Sequence, residues 1–296
     1  MGTAHVVLNA VSKQYGGRFA VKNVDLTLNA GECVGLAGHN GAGKSTLIKL
    51  MLGLIRPDSG SVSLLGGGAA GRRAAAVRSQ TGYLPETVAL HPSLTGRETL
   101  DFYAKLKKQP TAKNTALLER VGIAQAAGRR VGTYSKGMRQ RLALAQALLG
   151  KPKVLLFDEP TTGLDPASRQ LFYEIVHELG REGATVLLST HALGELDGRA
   201  ERIVVMKNGS KIADGSMNEL QTQSGLPATV TVRLKQPAAM PPEWVSDGLT
   251  HTAQCRVEDK ALLLQGLGGM DNIAQIDIRT PTLDDMYAEL LKREDV

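Results

Sequence analysis

The chain has 296 residues, 42% of them hydrophobic and 22% charged, which is ordinary for a soluble globular protein and long enough for a large domain with a smaller companion. No apolar run approaches the ~18 residues of a membrane span, and the opening "MGTAHVVLNAVSK" lacks the basic-then-apolar order of a signal segment. The net charge is +6, but Lys and Arg are scattered, so the expectation is a mildly basic solvated surface able to work near anionic lipid, with no nucleic-acid partner.

In chain order, "HVVLNAV" reads as a strand. "ECVGLAG" (Glu32 to Gly38) is a short apolar strand leading to a flexible loop, and "KSTLIKLMLGL" has helical spacing at Leu47, Leu50, Met51 and Leu54. Between them lies Gly38-His39-Asn40-Gly41-Ala42-Gly43-Lys44-Ser45, followed by Thr46: a full GxxxxGK[ST] phosphate loop. Its glycines let successive backbone N–H groups point at a polyphosphate, and the helix N-terminus adds its dipole. Lys44 is expected to bridge the β- and γ-phosphates and the Ser45 hydroxyl to ligate Mg²⁺. The motif with strand before and helix after predicts a nucleotide site.

The run "GGGAAGRRAAA" (Gly66 to Ala76) reads as a flexible connection entering a helix. Residues 86 to about 150 read as mostly helical, with "GRETLDFYAKLKK" and "TALLERVGI" as amphipathic pieces. "TYSKGMRQRLALAQALLG" begins with Ser135 at an N-cap, Gly137 leaving the helix start uncrowded, and Leu142, Ala145 and Leu149 forming an inward face. Such a start is a second anion cradle, useful to a single domain only if it serves another molecule's nucleotide. "KVLLFDEPTTGLDP" is an apolar strand, Val154 to Phe157, ending in Asp158 and Glu159. Asp158 is placed to hold Mg²⁺, and Glu159 to orient or deprotonate the attacking water. "ATVLLSTH" repeats the pattern and ends at His191, whose imidazole could contact the γ-phosphate.

After "NELQTQSGLP" the character changes: "ATVTVRL", "TAQCRVE" and "ALLLQGL" read as short strands, "KQPAAMPPEW" as a Pro-rich loop, and "TLDDMYAELLKRE" as a final helix capped by Thr282. The expected organisation is a nucleotide-binding domain over 1–222, with a helical subdomain at about 86–150, and an accessory α+β domain over 223–296. Cys33 and Cys255 have no metal-type or redox-type spacing and read as buried thiols of a reducing compartment.

Phosphate loop, "YSKGM", "LLFDE" and "LSTH", in this order and spacing, resemble an ABC-transporter ATPase subunit over roughly residues 5 to 225. The resemblance implies an α/β P-loop NTPase fold: a RecA-like core with an antiparallel β lobe and a helical subdomain. It implies ATP and Mg²⁺, and a head-to-tail homodimer in which Ser135 and Gly137 of one copy close over ATP held by Lys44 of the other. It assigns Tyr15, in "KQYGG", to stacking on adenine and Asp165, in "TGLDP", to coupling across the dimer. It also implies integral-membrane permease subunits as partners, and a place at the cytoplasmic face of a bacterial inner membrane. Two positions depart from the pattern. Met138 stands where glutamine is common, and Glu86, in "GYLPETV", stands where a glutamine usually faces Mg²⁺.

The chain further resembles the branch of ATPases that drive ABC-2-type exporters. "GYLPETVALHPSLTGRETLDFYAKLK", "YSKGMRQRLALAQALLG" and "PTLDDMYAELL" look like the ATPase of the transporter that matures nitrous oxide reductase in denitrifying bacteria, a system serving a periplasmic copper–sulfur site and a periplasmic partner. A soluble ABC ATPase of translation or DNA repair is the alternative class. It is disfavoured by the single cassette and by the lack of a heptad run or a Cys/His cluster. The same inventory predicts no copper site in this subunit: the cysteines are far apart, no two of the six histidines have ligand spacing, and Met51 and Met206 read as core.

Overall fold

Strands β1 (Ala4–Tyr15) and β2 (Arg18–Asn29) pair antiparallel through a tight turn, with several bulges along β1 that bend the pair. The next strand, β3 (Cys33–Ala37), is buried at every residue and belongs to a different sheet. It runs into helix α1 (Lys44–Met51), which buries Leu47, Ile48, Leu50 and Met51. The helix stops earlier than its apolar spacing suggests. Gly53 N–H donates to Leu50 O at 3.0 Å and Leu54 N–H to Lys49 O at 3.0 Å, a helix-ending pair that turns Leu54 outward, 58% exposed, instead of into the core. Strand β4 (Ser59–Leu64) pairs antiparallel with β1, and the two-residue β5 (Gly67–Gly68) pairs with β4, so the start of the expected loop is an edge strand. The structure describes residues 3–68, 74–267 and 271–292, by a computed structural model; residues 69–73 of that run lie outside it.

Helix α2 (Ala74–Ser79) leads into β6 (Thr81–Leu84), and then three helices follow: α3 (Gly96–Leu106), α4 (Asn114–Arg120) and α5 (Lys136–Ala147). A reciprocal Thr95–Glu98 capping box starts α3, and the Ser135 side chain starts α5 by accepting from Met138 N–H. Strand β7 (Val154–Asp158), helix α6 (Pro166–Arg181), β8 (Thr185–Thr190), β9 (Arg202–Lys207) and β10 (Ser210–Gly215) complete a six-stranded sheet of order β10-β9-β3-β8-β7-β6. Between β8 and β9 there is no full helix, only the short turn Leu193–Leu196. Strands β9, β3, β8, β7 and β6 are parallel neighbours, and β3, β7 and β8 are buried throughout. A parallel sheet covered on both faces needs such continuous apolar runs. The register sets Ala37 beside Thr190 and Asp158 beside Ser189, so three adjacent strands end side by side.

The compact units divide between Asp214 and Gly215, ahead of the expected 222. The second unit begins with α7 (Met217–Ser224), which opens on a Ser216–Glu219 capping box and whose Gln221 donates to Pro281 O. Strands β11 (Ala228–Leu234), β12 (Val245–Asp247), β13 (Thr250–Cys255) and β14 (Ile273–Arg279) form an antiparallel sheet of order β12-β13-β11-β14. "ALLLQGL", expected as a strand, is instead helix α8 (Lys260–Gln265), whose Leu263 and Leu264 pack against the cluster that holds Val230, Val232 and Trp244. The short apolar run fits either element, and the strand position is filled by "IAQIDIR". Cys255 is half-buried, unlike the expectation, while Cys33 is buried.

Helix α9 (Leu283–Lys292) is capped by Thr282, whose N–H and hydroxyl both donate to Asp285 while its Oγ1 accepts from Asp285 N–H at 3.2 Å. Thr282→Ala is expected to destabilise this helix by about 1 kcal/mol. Hydrogen exchange at the first-turn amides should rise several-fold, and unchanged exchange would show that the cap contributes nothing.

Candidate functional site

The phosphate loop leaves the carboxyl end of β3 and enters α1 at Gly43. Gly43 has φ 105°, and a Cβ there would run into the carbonyl oxygen of Ala20; a Cβ at Gly38 would lie 2.7 Å from Met206 O. The backbone passes too close to its neighbours for any side chain at these positions. Gly209 N–H donates to Ala42 O at 3.0 Å, so the β9–β10 turn holds the loop from one side while the start of β2 holds it from another. His39, Asn40 and Gly41 form an exposed rim, Ala42 is buried beneath it, and Ser45 and Thr46 are half-buried in the first turn of α1. Lys44 is only 6% exposed. Its ammonium donates to Gly38 O at 2.7 Å and His39 O at 3.3 Å and forms an ion pair with Glu159 Oε1 at 3.4 Å.

Asp158 ends β7 and Glu159 follows it, both buried. Asp158 Oδ1 accepts from Ser45 Oγ at 3.0 Å and from Ser189 Oγ at 2.7 Å, and Ser189 Oγ in turn accepts from Glu159 N–H at 3.1 Å. Glu159 has φ 49°, an uncommon left-handed conformation for a non-glycine residue, held by that bond and by its carboxylate partners. Its Oε1 faces Lys44 and its Oε2 lies 2.8 Å from His191 Nδ1. One carboxylate therefore joins the phosphate loop to the end of β8. Ser189 was missed by the sequence reading; its signal is the "LSTH" run itself, where a buried hydroxyl two residues before the histidine needs a polar partner on the next strand.

Asp158 and Ser45 offer two hard oxygen donors within 3.0 Å of each other, and among the described residues no three His, Cys, Asp or Glu converge on a metal. That donor set fits Mg²⁺, which takes one or two carboxylates and completes its octahedron with phosphate and water oxygens. Glu86 follows β6 and is exposed. Burial pushes the Tyr83 phenol up to about 12, and the charges of Asp158 and Glu86 add to the shift.

Tyr15 ends β1, 53% exposed, with Lys13 Nζ 5.6 Å from its ring centre. Ser135 and Gly137 start α5, and among the described residues no hydrogen bond joins them to the phosphate loop of their own chain. Asp165 caps α6, accepting from Ser168 N–H at 2.9 Å; that bond and the Ser168 hydroxyl hold its carboxyl below the usual range. Gln140, not singled out by sequence, donates from α5 to Pro160 O at 3.0 Å, one residue past Glu159. Burial pushes the Cys33 thiol up to about 12, with Glu201 adding to the shift, which leaves it a poor metal ligand.

The pattern of the ABC transporter family matches residues 21–162. The chain is 35% identical to the Nod factor export ATP-binding protein I of Burkholderia orbicola (strain AU 1054), across 99% of both chains. It is 32% identical to the linearmycin resistance ATP-binding protein LnrL of Bacillus subtilis (strain 168), over 96% of this chain and 97% of that one. A solved dimeric structure of a bacterial ABC transporter cassette superposes with a TM-score of 0.66 at 26% identity, covering 72% of this chain and 98% of that one. The chain belongs to the ATP-binding subunits of ABC transporters, with relatives in ABC-2-type exporters, and is an ATPase. Among the described residues no helix is long and apolar enough to cross a membrane.

Gly43→Ala forces a methyl group against Ala20 O in a conformation that costs about 1–3 kcal/mol. ATP affinity, read by equilibrium binding, is expected to fall by about tenfold or more as the loop shifts. Wild-type affinity would show that the loop tolerates the displacement.

Proposed function

We propose that this chain hydrolyses MgATP at the Lys44–Asp158–Glu159–His191 site, in a head-to-tail pair of copies, and drives export through separate membrane subunits from the cytoplasmic face of a bacterial inner membrane. The observation that carries the catalytic assignment is the Glu159 carboxylate, buried and suspended between Lys44 Nζ at 3.4 Å and His191 Nδ1 at 2.8 Å.

A phosphate oxygen that reaches Lys44 competes for a donor, and the longest of its three contacts is the one to Glu159. Engagement of ATP thus frees Oε1 to accept the proton of a water attacking the γ-phosphorus, while His191 keeps Oε2 fixed. His191, 49% exposed beyond this bond, is free on its other face to meet the γ-phosphate. Ser45 and Asp158 would hold Mg²⁺, which would supply neutralising charge to the phosphates. The rim from His39 to Gly41 and Thr46 add backbone and hydroxyl donors, and Tyr15 offers an exposed ring to adenine. Ser135 and Gly137 present a capped helix start that, among the described residues, makes no bond to its own loop, which suits closure over the other copy's ATP. Asp165 serves the same junction from the N-terminus of α6.

Glu159→Gln is expected to bind ATP normally and to lose turnover by about 10²-fold or more, accumulating an ATP-dependent dimer on size-exclusion chromatography. Normal hydrolysis in this variant would remove Glu159 from its role. Lys44→Ala should instead weaken ATP binding itself.

Glu86 adds a carboxylate near an already acidic site. If it reaches Mg²⁺, Glu86→Gln keeps hydrolysis but shifts the Mg²⁺ concentration for half-maximal rate. An unchanged Mg²⁺ titration, with unchanged stimulation by the membrane subunits, would make it a bystander.

Export is supported by the Nod factor similarity, and the narrower reading within that branch is service to nitrous oxide reductase maturation. That reading rests on the sequence runs around Glu86, Ser135 and the C-terminal helix; another ABC-2-type exporter fits the similarities equally well. Cargo recognition then belongs to the membrane and periplasmic partners, since Cys33 is a buried protonated thiol. A strain carrying only the Lys44→Ala chain should make nitrous oxide reductase without its copper–sulfur site. Fully assembled enzyme would send the assignment to another exporter.

A further inference from the structure

Four residues beyond His191, Glu195 sits on the turn Leu193–Leu196 that connects β8 to β9. Its side chain is 16% exposed and every carboxylate oxygen is used. Oε2 accepts from Thr161 Oγ1 at 2.6 Å and from Tyr173 OH at 3.3 Å, and Oε1 pairs with Arg169 at 3.1 Å. Burial and the Glu195 charge push the Tyr173 phenol up to about 12, and Arg199 lies 4.2 Å over the Tyr173 ring. Thr161 is buried and stands two residues past Glu159, in a turn closed by Leu164 N–H on Thr161 O. One carboxylate therefore fastens together the two chain segments from which Glu159 and His191 project, with α6 as the fixed backing.

The fastening matters because His191 is otherwise lightly held. Its ring is half exposed and bonds to Glu159 through Nδ1. Glu159 itself is held in a left-handed backbone conformation that its surroundings must sustain. The apolar anchors Leu193 and Leu196 bury the turn but fix no direction toward Thr161; a bond of 2.6 Å does.

We propose that Glu195 is a positioning residue for hydrolysis: by binding Thr161 and Arg169 at once, it sets the separation of Glu159 and His191 and so the aim of the carboxylate at water. The proposal rests on Glu159 being the base, and its test keeps the two apart. In the full-length chain, Glu195→Ala is expected to lower kcat by about 10- to 10²-fold while KM and the equilibrium affinity for ATP stay within about twofold. Thr161→Val, which removes only the hydroxyl bond, should lower kcat in the same way, and the double variant should be no slower than the slower single. Glu195→Gln, which can still accept from Thr161 but turns an amide toward Arg169, should recover part of the loss. If Glu195→Ala does not fold, Thr161→Val decides alone. Wild-type kcat in Thr161→Val and in any folded Glu195→Ala chain, or a loss seen only in KM, overturns the clamp. Glu159→Gln in the same assay separates the cases: a dead Glu159→Gln beside normal Glu195 and Thr161 variants sinks the clamp alone, whereas an active Glu159→Gln sinks the base on which it rests.

Discussion

Everything at the site depends on the parallel register of three strands. Because β3, β8 and β7 are buried on both faces, they have no room for working polar groups along their length, and polar chemistry is confined to their ends. The pairing of Ala37 with Thr190 and of Asp158 with Ser189 brings those ends level. From that edge emerge the phosphate loop, the Asp158–Glu159 pair and His191, from three neighbours in the order β3-β8-β7. A slip of one residue in β8 would turn Ser189 away from Asp158 and from the Glu159 amide together. The hydroxyl thus reports the register as much as it serves the acids.

The second constraint is charge. Two adjacent buried carboxylates would be costly unless each had partners, and they divide the available ones without overlap. Asp158 takes the two hydroxyls of Ser45 and Ser189, while Glu159 takes the charged Lys44 and the imidazole of His191. The carboxylate served by neutral hydroxyls keeps lone pairs for a cation, and the one beside an ammonium is the one whose environment changes when an anion arrives. The two acids are neighbours in sequence, yet their surroundings give them different work.

The gathering of these residues at one edge was legible in the sequence because it is built from local order: a glycine-rich turn between strand and helix, and acids or a histidine directly after apolar runs. What escaped depended on tertiary pairing. Ser189 and Gln140 acquire meaning only from the residue opposite each, Asp158 in one case and Pro160 in the other. Thr161 and Glu195 are 34 residues apart and touch because β7 and β8 are neighbours. In the second unit, "ALLLQGL" was misread because six apolar or small residues satisfy a helix and a strand alike, and the vacant strand position had already been claimed by "IAQIDIR" through its antiparallel pairing with β11. Leu54 failed for a local reason, the backbone reversal at Gly53, that periodicity does not register.

The helix α5 raises a last point. Among the described residues its start, at Ser135 and Gly137, makes no bond to the phosphate loop of its own chain, whereas its middle is tied to the segment after Glu159 through Gln140 and Pro160. In the head-to-tail pair proposed above, α5 would present its start to one nucleotide while its middle stays tied beside Glu159, proposed to act on the other. Pro160 precedes Thr161, so the same short segment receives α5 on one side and Glu195 on the other. Gln140 is buried, so its bond to Pro160 O ties the middle of α5 to that segment away from solvent. On the proposal above, closure on one ATP would reach Glu159 of the same copy through the Gln140–Pro160 hydrogen bond and the peptide link from Pro160 to Glu159.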